Sequence, residues 1–137
     1  MNSEHAEQAK IMDWAELMAA QYPELTLLYA IPNGAKLPWK RDKKGKRFSP
    51  EAMRLKDAGL KAGVPDLCLP VARLDYNGLY IEMKYGRNKP TPAQIWWLDQ
   101  LARQGYLAVV CWGADEAIGV LREYLESGYN KDVLEDG

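Results

Sequence analysis

The hexapeptide Leu79-Tyr80-Ile81-Glu82-Met83-Lys84 constrains the fold of this chain more than any other segment. Successive side chains of a strand point to opposite faces, so Ile81 and Met83 turn one way, into a core, while Glu82 and Lys84 project together on the other side. An acid and a lysine sharing one strand face most often mark plain solvent exposure. Their neighbours decide whether they mark more.

Upstream, Asp66 follows Gly63-Val64-Pro65 and opens an apolar run to Val71. A turn over Asp75 to Gly78 then leads into Leu79 to Lys84. The two runs predict an antiparallel hairpin, whose pairing could bring the Asp66 carboxylate close to Glu82. Downstream, Thr91-Pro92-Ala93-Gln94 has the form of a capping box with proline at the first helical position, predicting a helix to about Gln104. Gly105 closes that helix. Tyr106 to Cys111 then reads as a strand and Asp115 to Glu126 as a final amphipathic helix.

Before the hairpin, apolar residues at helical spacing from Glu4 to Gln21 predict a first helix, ended by Pro23. Leu25 to Ile31 reads as a strand running into a turn at Pro32-Asn33-Gly34. The stretch onward to Phe48 reads as a long loop, and Ser49-Pro50-Glu51 caps a helix to about Leu60. A strand-helix-strand order at the end implies a parallel crossover beside the antiparallel hairpin. The fold class is therefore α/β, with a mixed central sheet flanked by helices. Residues 1–128 form one domain, and residues 129–137 are expected to be a frayed acidic tail.

The 137 residues suffice for one core, and their 47% hydrophobic content includes no membrane-length apolar run. The polar start, Asn2 to Lys10, lacks the features of a secretory signal, which predicts an intracellular, cytoplasmic chain. Cys68 and Cys111 lie in separate apolar stretches and are expected to be buried free thiols. The net charge of −1 does not suggest a nucleic-acid binder, but its distribution does. Lys36, Lys40, Arg41, Lys43, Lys44, Lys46 and Arg47 crowd one segment, with Asp42 the sole acid among them.

Two carboxylates near one another, with a lysine alongside, suit a hard divalent cation, since magnesium takes one or two carboxylates and completes its shell with water and phosphate oxygens. Such a site fits phosphodiester hydrolysis. The cation activates a water and offsets phosphate charge, and the lysine stabilises the transition state.

These motifs carry a resemblance. The order Glu4 to Gln8, Ile31-Pro32-Asn33-Gly34, Gly63-Val64-Pro65-Asp66-Leu67, Gly78 to Lys84, then Pro92, Gln94 and Trp97-Leu98 resembles the VRR-NUC family of the PD-(D/E)xK nuclease superfamily, from about Glu4 to Leu125. The resemblance implies a restriction-endonuclease-like αβββαβ core, here with an extra loop and helix after the first strand. It implies a metal-dependent DNA endonuclease (a hydrolase acting on ester bonds) in which Asp66 and Glu82 hold Mg2+ or Mn2+ and Lys84 is the catalytic lysine. A glutamate of the first helix, Glu4 or alternatively Glu7, would complete the acidic cluster, and Gln94 would belong to the site. Kinship with Holliday-junction resolvases further implies branched DNA as substrate, a homodimer, and a phage or prophage origin. A non-catalytic DNA-binding module and a general nicking or restriction-type nuclease are the alternatives. Met83 stands where the family more often has leucine, on the core-facing side.

Other features have simpler readings. The basic segment is either a solvated loop or a phosphate-binding rim, and Trp39 within it either packs locally or stacks on a base. Trp96 and Trp97 cannot both face one core, so one is expected buried and the other partly exposed. Gln94 also satisfies the capping box with no substrate at all, and His5 is incidental.

Overall fold

The computed structural model describes residues 3–33 and 39–127. Gly34 and Lys36, and the acidic tail from residue 128, lie outside the described residues. Helix α1 spans Glu4–Met18, started by Ser3, whose hydroxyl accepts from the Ala6 amide at 3.1 Å. It buries Ile11 and Ala15.

The segment expected as a strand from Leu25 to Ile31 divides instead into a 3-10 turn at Pro23–Leu27 and a two-residue strand β1, Tyr29–Ala30. Its apolar side chains explain the difference. Leu25 and Leu28 are buried three residues apart, while Leu27 between them is 51% exposed, a burial pattern of turns and not of strands. The expected long loop is also structured from residue 39. Strands β2 (Lys40–Arg41) and β3 (Arg47–Phe48) pair antiparallel in a separate two-stranded sheet. Asp42 makes their turn, its Oδ1 accepting from the Lys44 and Lys46 amides at 2.8 and 2.9 Å. Helix α2, Pro50–Asp57, follows with Ser49 as its cap and buries none of its residues fully.

Strand β4 is Leu67–Leu69, shorter than the expected Asp66 to Val71, and β5 is Leu79–Lys84 as expected. Helix α3 (Pro92–Arg103), strand β6 (Leu107–Trp112) and helix α4 (Ala114–Ser127) complete the chain. The main sheet has the order β1-β4-β5-β6, antiparallel except for the parallel pair β5 and β6 joined through α3. It is a mixed sheet flanked by helices, as read from the sequence.

The core gathers Leu67, Leu69, Leu79, Ile81, Met83 and Cys111 against Ile11 and Ala15 of α1 and Ala117, Leu121 and Leu125 of α4. No residue of α3 joins it. Trp97 is only half-buried and Trp96 is 57% exposed, so neither member of the pair is the buried one expected. Both cysteines are buried and free, as anticipated.

Burial pushes the Cys111 thiol from an ordinary value of 9.0 up to about 12, with Glu116 adding to it. Burial likewise raises Tyr80 to about 12, with Cys68 contributing. Both groups ionise earlier in the unfolded chain, which therefore holds fewer protons between about pH 9 and pH 12. Stability present below pH 9 is lost as pH rises through that window. Urea midpoints are expected to fall from pH 8 to pH 10.5, and less steeply in Cys111→Val; an unchanged midpoint would contradict this.

Candidate active site

Among the described residues, three charged side chains are almost wholly buried: Asp66 at 3%, Glu82 at 1% and Lys84 at 6% exposure. Charged groups are rarely removed from water without a partner or a purpose. Their location follows from the strand register. Leu67 lies opposite Ile81, so one step further Asp66 comes opposite Glu82, on the sheet face away from the core. Lys84 shares that face, two residues beyond Glu82. The sequence reading of one shared face for all three therefore agrees with the register.

Asp66 stands just outside the β4 ladder, and its carboxylate ends that ladder. Oδ2 accepts from the Met83 amide at 2.7 Å, a buried bond that fixes the carboxylate's orientation beside β5. The Asp66 carbonyl accepts from the Ile31 amide at 2.8 Å, tying the same residue to the chain leaving β1. Both oxygens of Glu82 are shielded from solvent.

The segment entering Asp66 is docked against α3. Gly63 has φ +91°, and a Cβ there would stand 2.8 Å from the carbonyl carbon and oxygen of Ala93. Only glycine tolerates both the conformation and the approach. Trp97 Nε1 donates to the Ala62 carbonyl at 3.0 Å, a second tie to the same segment. Gln94 completes the capping box: its Oε1 accepts from the Thr91 amide at 2.8 Å, and its own amide donates to Thr91 Oγ1 at 3.3 Å. Sequence reasoning missed the docking of Gly63 and the Met83 amide. The glycine three residues before Asp66 was the available signal.

The helix glutamates stand at the C-terminal end of β5. Glu4 Oε1 accepts from Asn88 Nδ2 at 3.5 Å, and Glu7 pairs with Lys10 at 2.8 Å. Glu7 Oε1 also lies against Gly113, whose amide donates to the Lys84 carbonyl. Among the described residues, no third histidine, cysteine, aspartate or glutamate side chain gathers with Asp66 and Glu82 into a three-ligand group. His5 is exposed.

The basic residues sit on the separate hairpin. Lys40 and Arg41 lie on β2, Lys43 and Lys44 in the turn, and Lys46 and Arg47 at the return. Arg41 is anchored to the Gly45 carbonyl at 2.9 Å, and the Arg47 guanidinium lies 5.3 Å from the Trp39 ring centre.

Comparison with known proteins decides the family to which this geometry belongs. The sequence model of the VRR-NUC domain matches residues 2–115, from the start of α1 into α4. The chain belongs to the VRR-NUC family. A solved structure described as a VRR_NUC domain protein is similar over nearly all of both chains, covering 93% of this chain and 92% of its own at 33% identity, with a TM-score of 0.70. No curated protein matches the sequence. VRR-NUC is a nuclease-type family, so the buried Asp66, Glu82 and Lys84 belong to a nuclease-type fold. No helix among the described residues is long and apolar enough to cross a membrane.

Proposed function

We propose that this VRR-NUC domain is a divalent-metal-dependent endonuclease acting on DNA, with Asp66 and Glu82 as metal ligands and Lys84 beside the reacting phosphate. The observation that carries this reading is the burial of two carboxylates and a lysine on one sheet face, Glu82 and Lys84 on β5 and Asp66 at the entry to β4. The donor set fits Mg2+ or Mn2+, which need only one or two carboxylates when phosphate and water supply the rest.

When bound, the cation would supply an acidified water and offset charge on the phosphate. The protein does the positioning. The Met83 amide holds the Asp66 carboxylate in place, as a ligand's outer hydrogen bond does. Lys84 donates to the phosphate or to the attacking oxygen in a water-poor setting, where such a bond is strongest. Glu4, or Glu7 as alternate, stands near the end of β5 that bears Lys84 and would have to turn toward the pair to join the acidic cluster, since neither gathers with Asp66 and Glu82 into a three-ligand group. Gln94 acts here as a positioning residue, holding the first turn of α3 against Gly63 and hence the chain entering Asp66.

Lys84→Met should therefore retain Mn2+ while cleaving about a hundredfold to a thousandfold more slowly. Single-turnover rates at saturating metal measure this, and an unchanged rate would remove Lys84 from the mechanism.

The substrate we favour is branched DNA, cut by a homodimer. Symmetric resolution of a four-way junction needs two sites related by a two-fold axis. Lys36, Lys40, Arg41, Lys43, Lys44, Lys46 and Arg47 would neutralise the phosphates. Replacing Lys40, Arg41, Lys43 and Lys44 together with uncharged residues should weaken DNA binding without affecting metal binding. It should also flatten the salt dependence, by roughly one unit of log-log slope for each phosphate that is no longer neutralised. An unaltered slope would exclude the hairpin from the interface.

The test of the whole reading is cleavage of labelled four-way junction, flap, single-stranded and linear duplex DNA with Mg2+, Mn2+ or EDTA. Cleavage with either ion, none in EDTA, and paired incisions on the junction faster than nicking of linear duplex are expected, with a dimer in solution. A monomer, or equal rates on both substrates, leaves a general nicking nuclease. Binding without cleavage of any substrate leaves a DNA-binding module.

A further inference from the structure

The hairpin and α2 frame an open, shallow pocket that the catalytic reading does not use. Its large apolar lining residues are Trp39, Phe48 and Met53, and its basic lining is Lys46, Arg47 and Lys56. Its volume is about 590 Å3, within the usual range for small-molecule sites of roughly 300–1,000 Å3. Trp39 and Met53 are 40% and 59% exposed, so both are accessible to a ligand entering the pocket. Asp42 also lines the pocket, but its Oδ1 accepts the Lys44 and Lys46 amides and serves the turn.

We propose that this pocket receives one unstacked base of the DNA substrate, with Trp39 as its stacking surface and Lys46, Arg47 and Lys56 holding the flanking phosphates. This rests on the DNA reading above and adds to it a means of recognising unpaired nucleotides. Three observations support it. An indole offers a flat face that any base can stack on. The Arg47 guanidinium lies over that indole at 5.3 Å, so a base entering to stack on the ring would displace it toward the flanking phosphate. The pocket joins this apolar surface to cations of the opposite sign to a phosphate backbone, a pairing that suits a nucleotide better than an uncharged apolar ligand. A base already out of the stack costs least to insert, so the pocket favours bulged, flapped or junction-point nucleotides over continuous duplex.

The experiment uses the full chain with Ca2+ in place of a catalytic ion, and duplexes carrying 2-aminopurine either in a single-nucleotide bulge or fully paired. Wild-type protein is expected to bind the bulged duplex more tightly and to quench its fluorescence. Trp39→Ala, and independently Met53→Glu, are expected to lose roughly tenfold of the bulged-duplex affinity while binding paired duplex nearly as before. Trp39→Phe should restore most of the preference. Equal wild-type affinity for both duplexes, or a proportional loss on both in the variants, would overturn the proposal while leaving the nuclease reading intact. Failure of wild type to bind any DNA would overturn both. Tight binding of a free mononucleotide with no preference for the bulge would assign the pocket to a soluble ligand and reject the DNA assignment.

Discussion

Glu82→Gln is expected to lower the metal-dependent cleavage rate by about a thousandfold or more, corresponding to about 4 kcal/mol of transition-state stabilisation. The substitution keeps the side chain's shape and hydrogen-bonding size but withdraws the charged oxygen that a hard cation requires. Glu82 is 1% exposed and lies opposite Asp66, and a neutral amide there avoids the cost of holding two acids together in a buried site. In EDTA the variant should therefore melt no lower than wild type, and DNA affinity should persist or rise. Asp66→Asn should behave alike in cleavage. It should also weaken the bond from the Met83 amide, since a carboxylate accepts more strongly than an amide oxygen. Thermal melting in EDTA and single-turnover cleavage, measured on the same preparations, separate loss of chemistry from loss of fold. Cleavage retained in both variants would contradict the site assignment.

Gly63→Ala is expected to destabilise the domain by about 2–4 kcal/mol, combining the cost of positive φ for an L-residue with overpacking against a helix backbone. The added methyl would sit 2.8 Å from main-chain atoms of Ala93, so relief requires α3 or the Asp66 segment to move. Gly59 is the control. It too has positive φ, +111°, but a Cβ there would meet nothing within 4 Å, so Gly59→Ala should cost only the conformational part, about 1–2 kcal/mol. Urea unfolding gives both values. Cleavage should fall further in Gly63→Ala than in Gly59→Ala, because the displaced segment carries Asp66. Equal destabilisation by the two substitutions would show that the docking of Gly63 on α3 contributes little.

These two sites also mark how far the sequence can be read. The period-two pattern at Leu79 to Lys84 and the capping box at Thr91 to Gln94 are local signals, and the corresponding strand and helix form with nearly the expected bounds. The facing of Asp66 and Glu82 followed from the hairpin once the turn between them was recognised. What the pattern could not carry was non-local. Gly63 reads as a turn residue until α3 is seen against it, and the Met83 amide has no sequence signature as a donor to Asp66. Apolar density misled at Leu25 to Ile31, where burial of Leu25 and Leu28 across an exposed Leu27 reports a turn packed on the core. Charge density misled at Lys40 to Phe48, where strand propensity is low and the pairing is set by the Asp42 turn. The helix glutamate is the remaining case. The order of motifs points to α1, and both Glu4 and Glu7 stand at the end of β5 that bears Lys84, but neither completes a three-ligand group with the pair.

The central claim is that Asp66 and Glu82 together hold the divalent ion. Electron paramagnetic resonance of Mn2+ titrated into the intact protein, with a short DNA duplex present to supply phosphate, tests it most directly. Wild type should immobilise Mn2+ saturably, and the doubly substituted Asp66→Asn, Glu82→Gln protein, folded by circular dichroism, should leave those ions free in solution. Equal Mn2+ binding by the two proteins would contradict the account.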